Sequence, residues 1–201
     1  MRWNVAKDIV VAWIVTMPAA GLIGAVAKAH RERLGGQARA DGAVDGEGRL
    51  QTISTPVQPE WIDYNEHLTE WAYLKLFGDA TDVVLARIGA GLDYVAAGHS
   101  YYTVETHLRH LGQARLGERV EVHTRVLAAD AKRLHLFHEM VNKANGTVAA
   151  TAEHMLVHVD AAAERSVPAP EAIRAAAEQL VATQAALPPP DGGGRSIRMP
   201  G

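Results

Sequence analysis

Residues 58–82 read QPEWIDYNEHLTEWAYLKLFGDATD, and the stretch changes character near its middle. From Glu66 to Ile88 the apolar residues Leu68, Trp71, Ala72, Leu74, Leu76, Phe77, Ala80, Val83, Val84, Ala86 and Ile88 recur at helical spacing with few polar interruptions. That is the pattern of a helix enclosed on most sides. Asn65 fits as its N-cap, and Gly89 with Gly91 as its stop. Just before the helix stands one acid, Asp63, amid Trp61, Tyr64, Trp71, Tyr73 and Phe77, in a chain with two Phe, four Trp and five Tyr in all.

Working outward, LQTISTPVQP (50–59) has β-type composition and ends at Pro59, which reads as a first strand and a turn. On the other side come four alternating segments: YYTVETHLRHL (101–111), ERVEVHTRVLAA (118–129), KRLHLFHEMVN (132–142) and TVAATAEHMLVHVD (147–160). The short turn at AD and the hairpin-type loop KANG mark an antiparallel meander. PEAIRAAAEQLVA (170–182) reads as a closing helix begun at Pro170. One enclosed helix followed by antiparallel strands is an α+β plan in which the sheet must wrap the helix to cover its apolar faces, the hotdog arrangement.

Composition divides the chain into an apolar segment (1–30), a Gly- and charge-rich linker (31–50), a patterned body (51–183) and an Ala/Pro/Gly-rich tail (184–201) expected to be disordered. A net charge of −3 and a pI near 6.4 provide no basic field for nucleic acid. With no cysteine there is no disulfide, thiolate nucleophile or Cys-based zinc site, so chemistry falls to Asp, Glu, His or hydroxyls. Residues 9–27, IVVAWIVTMPAAGLIGAVA, carry no charge and as a helix would span about 28 Å, enough to cross a membrane. The basic KAHRERLGG that follows is unlike a signal-peptide cleavage site. Lys28, Arg31 and Arg33 place the body on the cytoplasmic side by positive-inside logic, so the expectation is a cytoplasmic protein tethered through residues 9–27 to the inner membrane. The stretch RWNVAKDIVVAWIVTMPAAGLIGAV resembles the last transmembrane helix of bacterial inorganic phosphate transporters. One helix builds no transport pathway.

Asp63 has two readings from the residues alone: a turn-forming acid before a helix, or a catalytic carboxylate beside the positive end of the helix dipole. His67 either orients it or bonds to backbone across the turn. The histidines at 99, 107, 110, 123, 135, 138, 154 and 158 are scattered along the strands and are not expected to hold metal.

The segment VQPEWIDYNEHLTEWAYLKLFGDATD resembles the V-x-P-x-W-x-D-x-x-G-H-[LM]-[NT] opening of the 4-hydroxybenzoyl-CoA-thioesterase-like hotdog family. With GHSYYTVETHLRHL, DAKRLHLFHEM and ATAEHMLVHVD the resemblance narrows to its betainyl-CoA thioesterases and covers roughly residues 53–180. It implies hydrolysis of a small CoA thioester, betainyl-CoA to glycine betaine and CoA in carnitine breakdown, with no cofactor. Asp63 takes the family's catalytic position, as nucleophile or as base, with His67 beside it. A backbone amide within Leu68 to Trp71 polarises the carbonyl. A trimethylammonium group offers no N–H and is held by ring faces and negative charge, so Trp61, Tyr64, Trp71 and Tyr101 are candidate contacts. In a hotdog dimer the strand YYTVETHLRHL borders the cleft. Its alternation puts Tyr101, Thr103, Glu105 and His107 on one face, which makes Thr103 and Glu105 candidates for the pocket. Lys132 and Arg133 are candidates for the CoA phosphates. The cleft implied is shared between subunits of a homodimer or homotetramer. Glu66 departs from the pattern, which has Gly there. The rival readings are a hotdog protein that binds betaine or acyl-CoA without turnover, and a hotdog hydratase. The hydratase signature Asp-x-Asn-Pro-x-His is not matched by Asp63-Tyr64-Asn65-Glu66-His67.

Overall fold

The computed structural model describes residues 43–194. The expected apolar helix, its membrane span and the linker up to residue 42 lie outside them. Among the described residues no helix is long and apolar enough to cross a membrane. The strands are β1 (Ala43–Val44), β2 (Leu50–Pro56), β3 (His99–His110), β4 (Arg119–Ala129), β5 (Arg133–Asn142), β6 (Thr147–Asp160) and β7 (Arg165–Ser166). They form one antiparallel sheet in the order β1-β2-β4-β5-β6-β3, with β7 pairing β6. The helices are α1 (Glu70–Arg87), α2 (Leu92–Ala96) and α3 (Glu171–Gln184). The meander β4-β5-β6 is as expected, and β3 occupies the far edge because α1 and α2 carry the chain across the sheet before it begins.

The enclosed character of α1 has a direct cause: two groups of buried residues grip it along its length. Toward its start, Ala72, Tyr73, Leu76, Phe77 and Ala80 pack with Ile53, Val57, Val120, Val122, Met140 and the alanines of β6. Toward its end, Val84, Leu85 and Ile88 pack with Leu50, Val126, Leu134, Leu136, Leu156 and with Ile173 and Ala177 of α3. Full burial of side chains such as Leu76 and Phe77 stabilises the fold by roughly 2–3 kcal/mol each.

Between the two groups runs a buried polar line. Thr81 Oγ1 donates to the Phe77 carbonyl at 3.0 Å, so its lone pairs receive the ring N–H groups of His138 (Nε2, 3.1 Å) and His154 (Nδ1, 3.2 Å). His138 Nδ1 then accepts from Thr124 Oγ1 at 2.8 Å, and Thr124 Oγ1 lies 2.9 Å from Thr52 Oγ1, which donates to the Val122 carbonyl at 3.0 Å. Every member is buried and both imidazoles are neutral: burial pushes His154 down to about 4, and burial, with the repulsion a second proton on the His138–His154 pair would meet, pushes His138 well below its ordinary 6.5.

Where β2 stops pairing at Leu50↔Thr124, α3 takes over the edge of β4. The buried Gln184 accepts from the Val126 amide at 2.8 Å and donates to the Gly48 carbonyl at 3.2 Å, doing what a strand would have done. Beyond it, the tail as far as Gly194 lies on the outer face of the sheet. Arg125 donates to Pro188 O, Arg109 to Asp191 O at 3.1 Å, and the Gly194 amide reaches the Glu153 carboxylate at 2.8 Å. Residues 195–201 are outside the described residues.

Two expectations need correction. The helix begins at Glu70 with Thr69 as N-cap, four residues later than the apolar spacing suggests, so Asn65 caps nothing. And β3 does not alternate evenly: a bulge between Thr103 and Glu105 leaves Val104 unpaired. Tyr101 and Thr103 share the inner face with Thr106, Leu108 and His110, opposite the buried His158, Leu156, His154, Ala152 and Ala150. Glu105 and His107 are turned outward, opposite Met155 and Glu153.

Candidate active site

Residues 62–69 form a loop closed by its own carboxylate. Asp63 Oδ1 accepts the amides of Asn65 (2.8 Å) and His67 (3.2 Å), while the Asp63 amide donates to His67 O at 2.9 Å. Glu66, at φ 63°, turns the chain through the left-handed region, which is why the helical pattern around it does not become helix. The loop is fastened at both ends by bridges pairing Ile62 with Leu68 and His67 with Arg115. Partial burial pushes the Asp63 carboxyl up, but the His67 and Asn65 amides outweigh it and hold it below its ordinary 3.8. Asp63 is therefore a carboxylate at neutral pH.

The same loop sorts the amides at the helix start. Leu68 N donates to Ala114 O and Thr69 N to Trp61 O, both at 2.8 Å. Glu70 and Trp71 are the first two residues of α1 and have no helical carbonyl one turn back to receive their N–H groups. Of the four amides from Leu68 to Trp71, these two are the ones without a helical acceptor. The N-cap Thr69 makes no capping bond, and its buried hydroxyl has no hydrogen-bond partner. An ionised carboxylate in a loop leading to the positive end of a helix has the chemistry to drive attack on a carbonyl, and free amides at a helix start to stabilise the oxyanion that forms.

The aromatic residues do not gather into one box. Trp61 is 2% exposed and belongs to the core, with Lys75 Nζ 5.6 Å from its ring centroid. Tyr64 is 95% exposed at the loop tip and Trp71 is 53% exposed on the first turn of α1. Lys75 itself pairs with the buried Asp79 at 2.5 Å, one helical turn on. Glu60, Asp63, Glu66 and Glu70 stand on this loop and its flanks, and none of them is in an ion pair with Lys, Arg or His among the described residues.

The other expected site residues lie elsewhere. Tyr101 is buried edge-on against His158, with ring centroids 5.1 Å apart. It sits at the start of β3, whereas the Asp63 loop abuts residues 112–115 past the end of that strand, and a strand from Tyr101 to His110 spans roughly 30 Å. Thr103 and Glu105 are exposed along β3. Lys132 donates from Nζ to Ser166 O at 3.2 Å and Arg133 pairs with Asp130 at 2.6 Å, both near the Tyr101 end. Asp63, Tyr64 and His67 thus lie on one loop, flanked in sequence by the buried Trp61 and the exposed Trp71, and Tyr101, Thr103, Glu105, Lys132 and Arg133 lie apart from it.

Sequence reasoning missed Glu118 and Asn142. Glu118 Oε2 accepts both the Arg115 amide (2.8 Å) and Asn142 Nδ2 (2.7 Å). Neither residue lies in a legible motif: the Asn142 side chain meets Glu118 and the Gln113 carbonyl only because the fold brings the end of β5 beside residues 113–118. Among the described residues no group of three or more His, Asp or Glu is placed to hold a metal.

The sequence pattern of the thioesterase-like superfamily matches residues 57–177. The L-carnitine dehydrogenase/betainyl-CoA thioesterase of Rhizobium meliloti (strain 1021) is 48% identical over 155 residues, 77% of this chain and 31% of that protein. The betainyl-CoA thioesterase of Pseudomonas aeruginosa is 43% identical over 152 residues, 75% of this chain and 96% of that one. The chain thus spans under a third of the length of the first of these relatives and matches nearly all of the second. Among solved structures, a Staphylococcus aureus protein in complex with CoA superposes with a TM-score of 0.68 at 26% identity, over 73% of this chain and 93% of that one.

Proposed function

Because this chain belongs to the thioesterase-like superfamily, we propose that it hydrolyses a small acyl-CoA, with betainyl-CoA as the substrate and glycine betaine and CoA as products. One observation carries the reading: the ionised Asp63 is held by two amides in the loop that leads into α1, whose first residues Glu70 and Trp71 lack helical acceptors. The Asp63 carboxylate either attacks the thioester carbon or takes a proton from a water that does. In both cases the carbonyl oxygen gains a negative charge that the Glu70 and Trp71 amides meet, and the C–S bond breaks to release CoA. In the direct route a water then cleaves the mixed anhydride. His67, whose backbone brackets Asp63, keeps the carboxylate in place. The acids Glu60, Glu66 and Glu70 and the exposed rings of Tyr64 and Trp71 favour a cationic acyl group over a neutral one.

The exposed β3 edge, with Tyr102 and Val104 facing out, suits pairing with a second copy. Antiparallel pairing about the middle of β3 would bring the partner's strand start, with Tyr101 and Thr103, to the Asp63 end, so the shared cleft is part of this proposal. A cytoplasmic location follows the same reading, and tethering through residues 9–27 is tested by whether the full chain sediments with membranes.

The test is CoA release from betainyl-CoA beside acetyl-CoA and benzoyl-CoA. Asp63→Asn retains an oxygen for the two amides and so should fold, while losing activity by about 10²–10⁴-fold. Preference for betainyl-CoA with inactive Asp63→Asn supports the proposal; full activity of the variant refutes the role of Asp63. Glu66, where the resembled family has Gly, favours a second reading, binding without turnover. Saturable binding of betainyl-CoA with no CoA released would establish that one instead.

A further inference from the structure

Asn142 is 1% exposed at the end of β5, and all of its amide is engaged. Nδ2 donates to Gln113 O at 3.1 Å and to Glu118 Oε2 at 2.7 Å, and Oδ1 accepts the Ala144 amide at 3.0 Å. The same Glu118 oxygen takes the Arg115 amide at 2.8 Å. The segment between, residues 113–115, is therefore held from both ends by two side chains. Its remaining groups face the site: Ala114, itself fully buried, offers its carbonyl to the Leu68 amide at 2.8 Å, and Arg115 bridges His67. His67 in turn donates its amide to Asp63 Oδ1 and receives the Asp63 amide on its carbonyl.

We infer that Glu118 and Asn142 are positioning residues for the Asp63 centre, acting through residues 113–115. This deepens the thioesterase reading and rests on it for its kinetic test. The physical content is twofold. The clamp fixes the height of the Asp63 carboxylate relative to the helix start. It also keeps the Leu68 amide occupied, so that the Glu70 and Trp71 amides alone face an incoming carbonyl oxygen. A displacement of about 1 Å between attacking group and oxyanion donors can cost about 100-fold in rate while leaving substrate contacts made elsewhere intact. The Glu118 carboxyl is held below its ordinary 4.5, chiefly by the Arg115 amide and then by Asn142, so it accepts both bonds as a carboxylate.

The experiment separates geometry from charge. Glu118→Ala removes the acceptor and should lower kcat by about 10- to 100-fold with KM within about threefold. Glu118→Gln keeps one oxygen able to accept both bonds and should rescue kcat to within about threefold of the parent. Unchanged kcat in Glu118→Ala, or a Gln variant as impaired as Ala, overturns the inference, the latter because the charge would then matter and not the position. A second readout does not need turnover: hydrogen exchange at the Leu68 amide should accelerate in Glu118→Ala and Asn142→Ala and stay slow in Glu118→Gln. If the parent protein cleaves no thioester, the thioesterase reading fails by itself. The exchange result then still decides whether the clamp holds the loop, and unaltered Leu68 protection in both Ala variants refutes it.

Discussion

Lowering the pH should weaken this fold through its buried imidazoles before its carboxylates are protonated. His154 has an ordinary value of 6.5 and a folded value of about 4, set by burial. Above pH 6.5 neither the folded nor the unfolded chain binds that proton, and there is no penalty. As pH falls below 6.5 the unfolded chain takes a proton that the folded chain refuses, and stability declines until about pH 4, where the folded form takes it too. The full interval is worth about 3 kcal/mol, and about 2 kcal/mol has gone by pH 5. His138, more deeply buried and lowered further, adds a loss of the same sign. The acids Asp45, Asp63, Glu118, Asp130 and Asp160 lie below ordinary values of 3.8 or 4.5, so their contribution is lost only as pH falls from there. The interval from pH 7.5 to 5 therefore isolates histidine. The assay is urea unfolding at pH 7.5, 6 and 5, at one protein concentration, for the parent and His154→Gln. The variant should start less stable at pH 7.5 and fall by about 2 kcal/mol less across the interval. Parallel curves would mean that His154 is charged or hydrated in the folded state, and the neutral line through Thr81 would be wrong.

Three further outcomes follow from the same geometry. Thr81→Val removes the acceptor of two ring N–H groups and should cost about 2–3 kcal/mol in urea unfolding; a loss under about 0.5 kcal/mol would show that those bonds are not made. Glu66→Gly relieves a left-handed side-chain residue and should raise stability by about 0.5–1 kcal/mol; a lower melting temperature would contradict the loop conformation. Gln184→Ala strands the Val126 amide at an edge that no strand covers, and should lower stability by about 1–3 kcal/mol and speed hydrogen exchange at Val126.

The meander and the long helix were legible because each repeats a simple period over many residues: two for β4 to β6, near 3.6 for α1. The helix start was not, because Leu68 continues the apolar spacing while the Asp63 side chain competes for the amides a helix would use. The bulge at Val104 was likewise invisible, since one unpaired residue leaves no mark on composition and only the partner strand reveals it. Asp63 was singled out by its motif, and its place in the turn ahead of α1 is as expected, while its catalytic role belongs to the proposal. The aromatic cage was over-read from nearness in sequence: Trp61 faces the core and Tyr64 faces solvent one loop apart. Gln184 and Asn142 reach backbone atoms brought near only by the fold, and the Glu118–Asn142 contact spans 24 residues, so no local pattern encodes such partners.

The strand order also sets a schedule. β4, β5 and β6 are joined by short turns and can zip together early, whereas β2 waits for β4 and β3 waits for β6, each across a long intervening chain. The loop bearing Asp63 hangs between those two late arrivals, β2 on one side and α1 leading to β3 on the other. During refolding the far-ultraviolet signal of the meander should return first, and catalytic competence last, when both edges have closed around the helix.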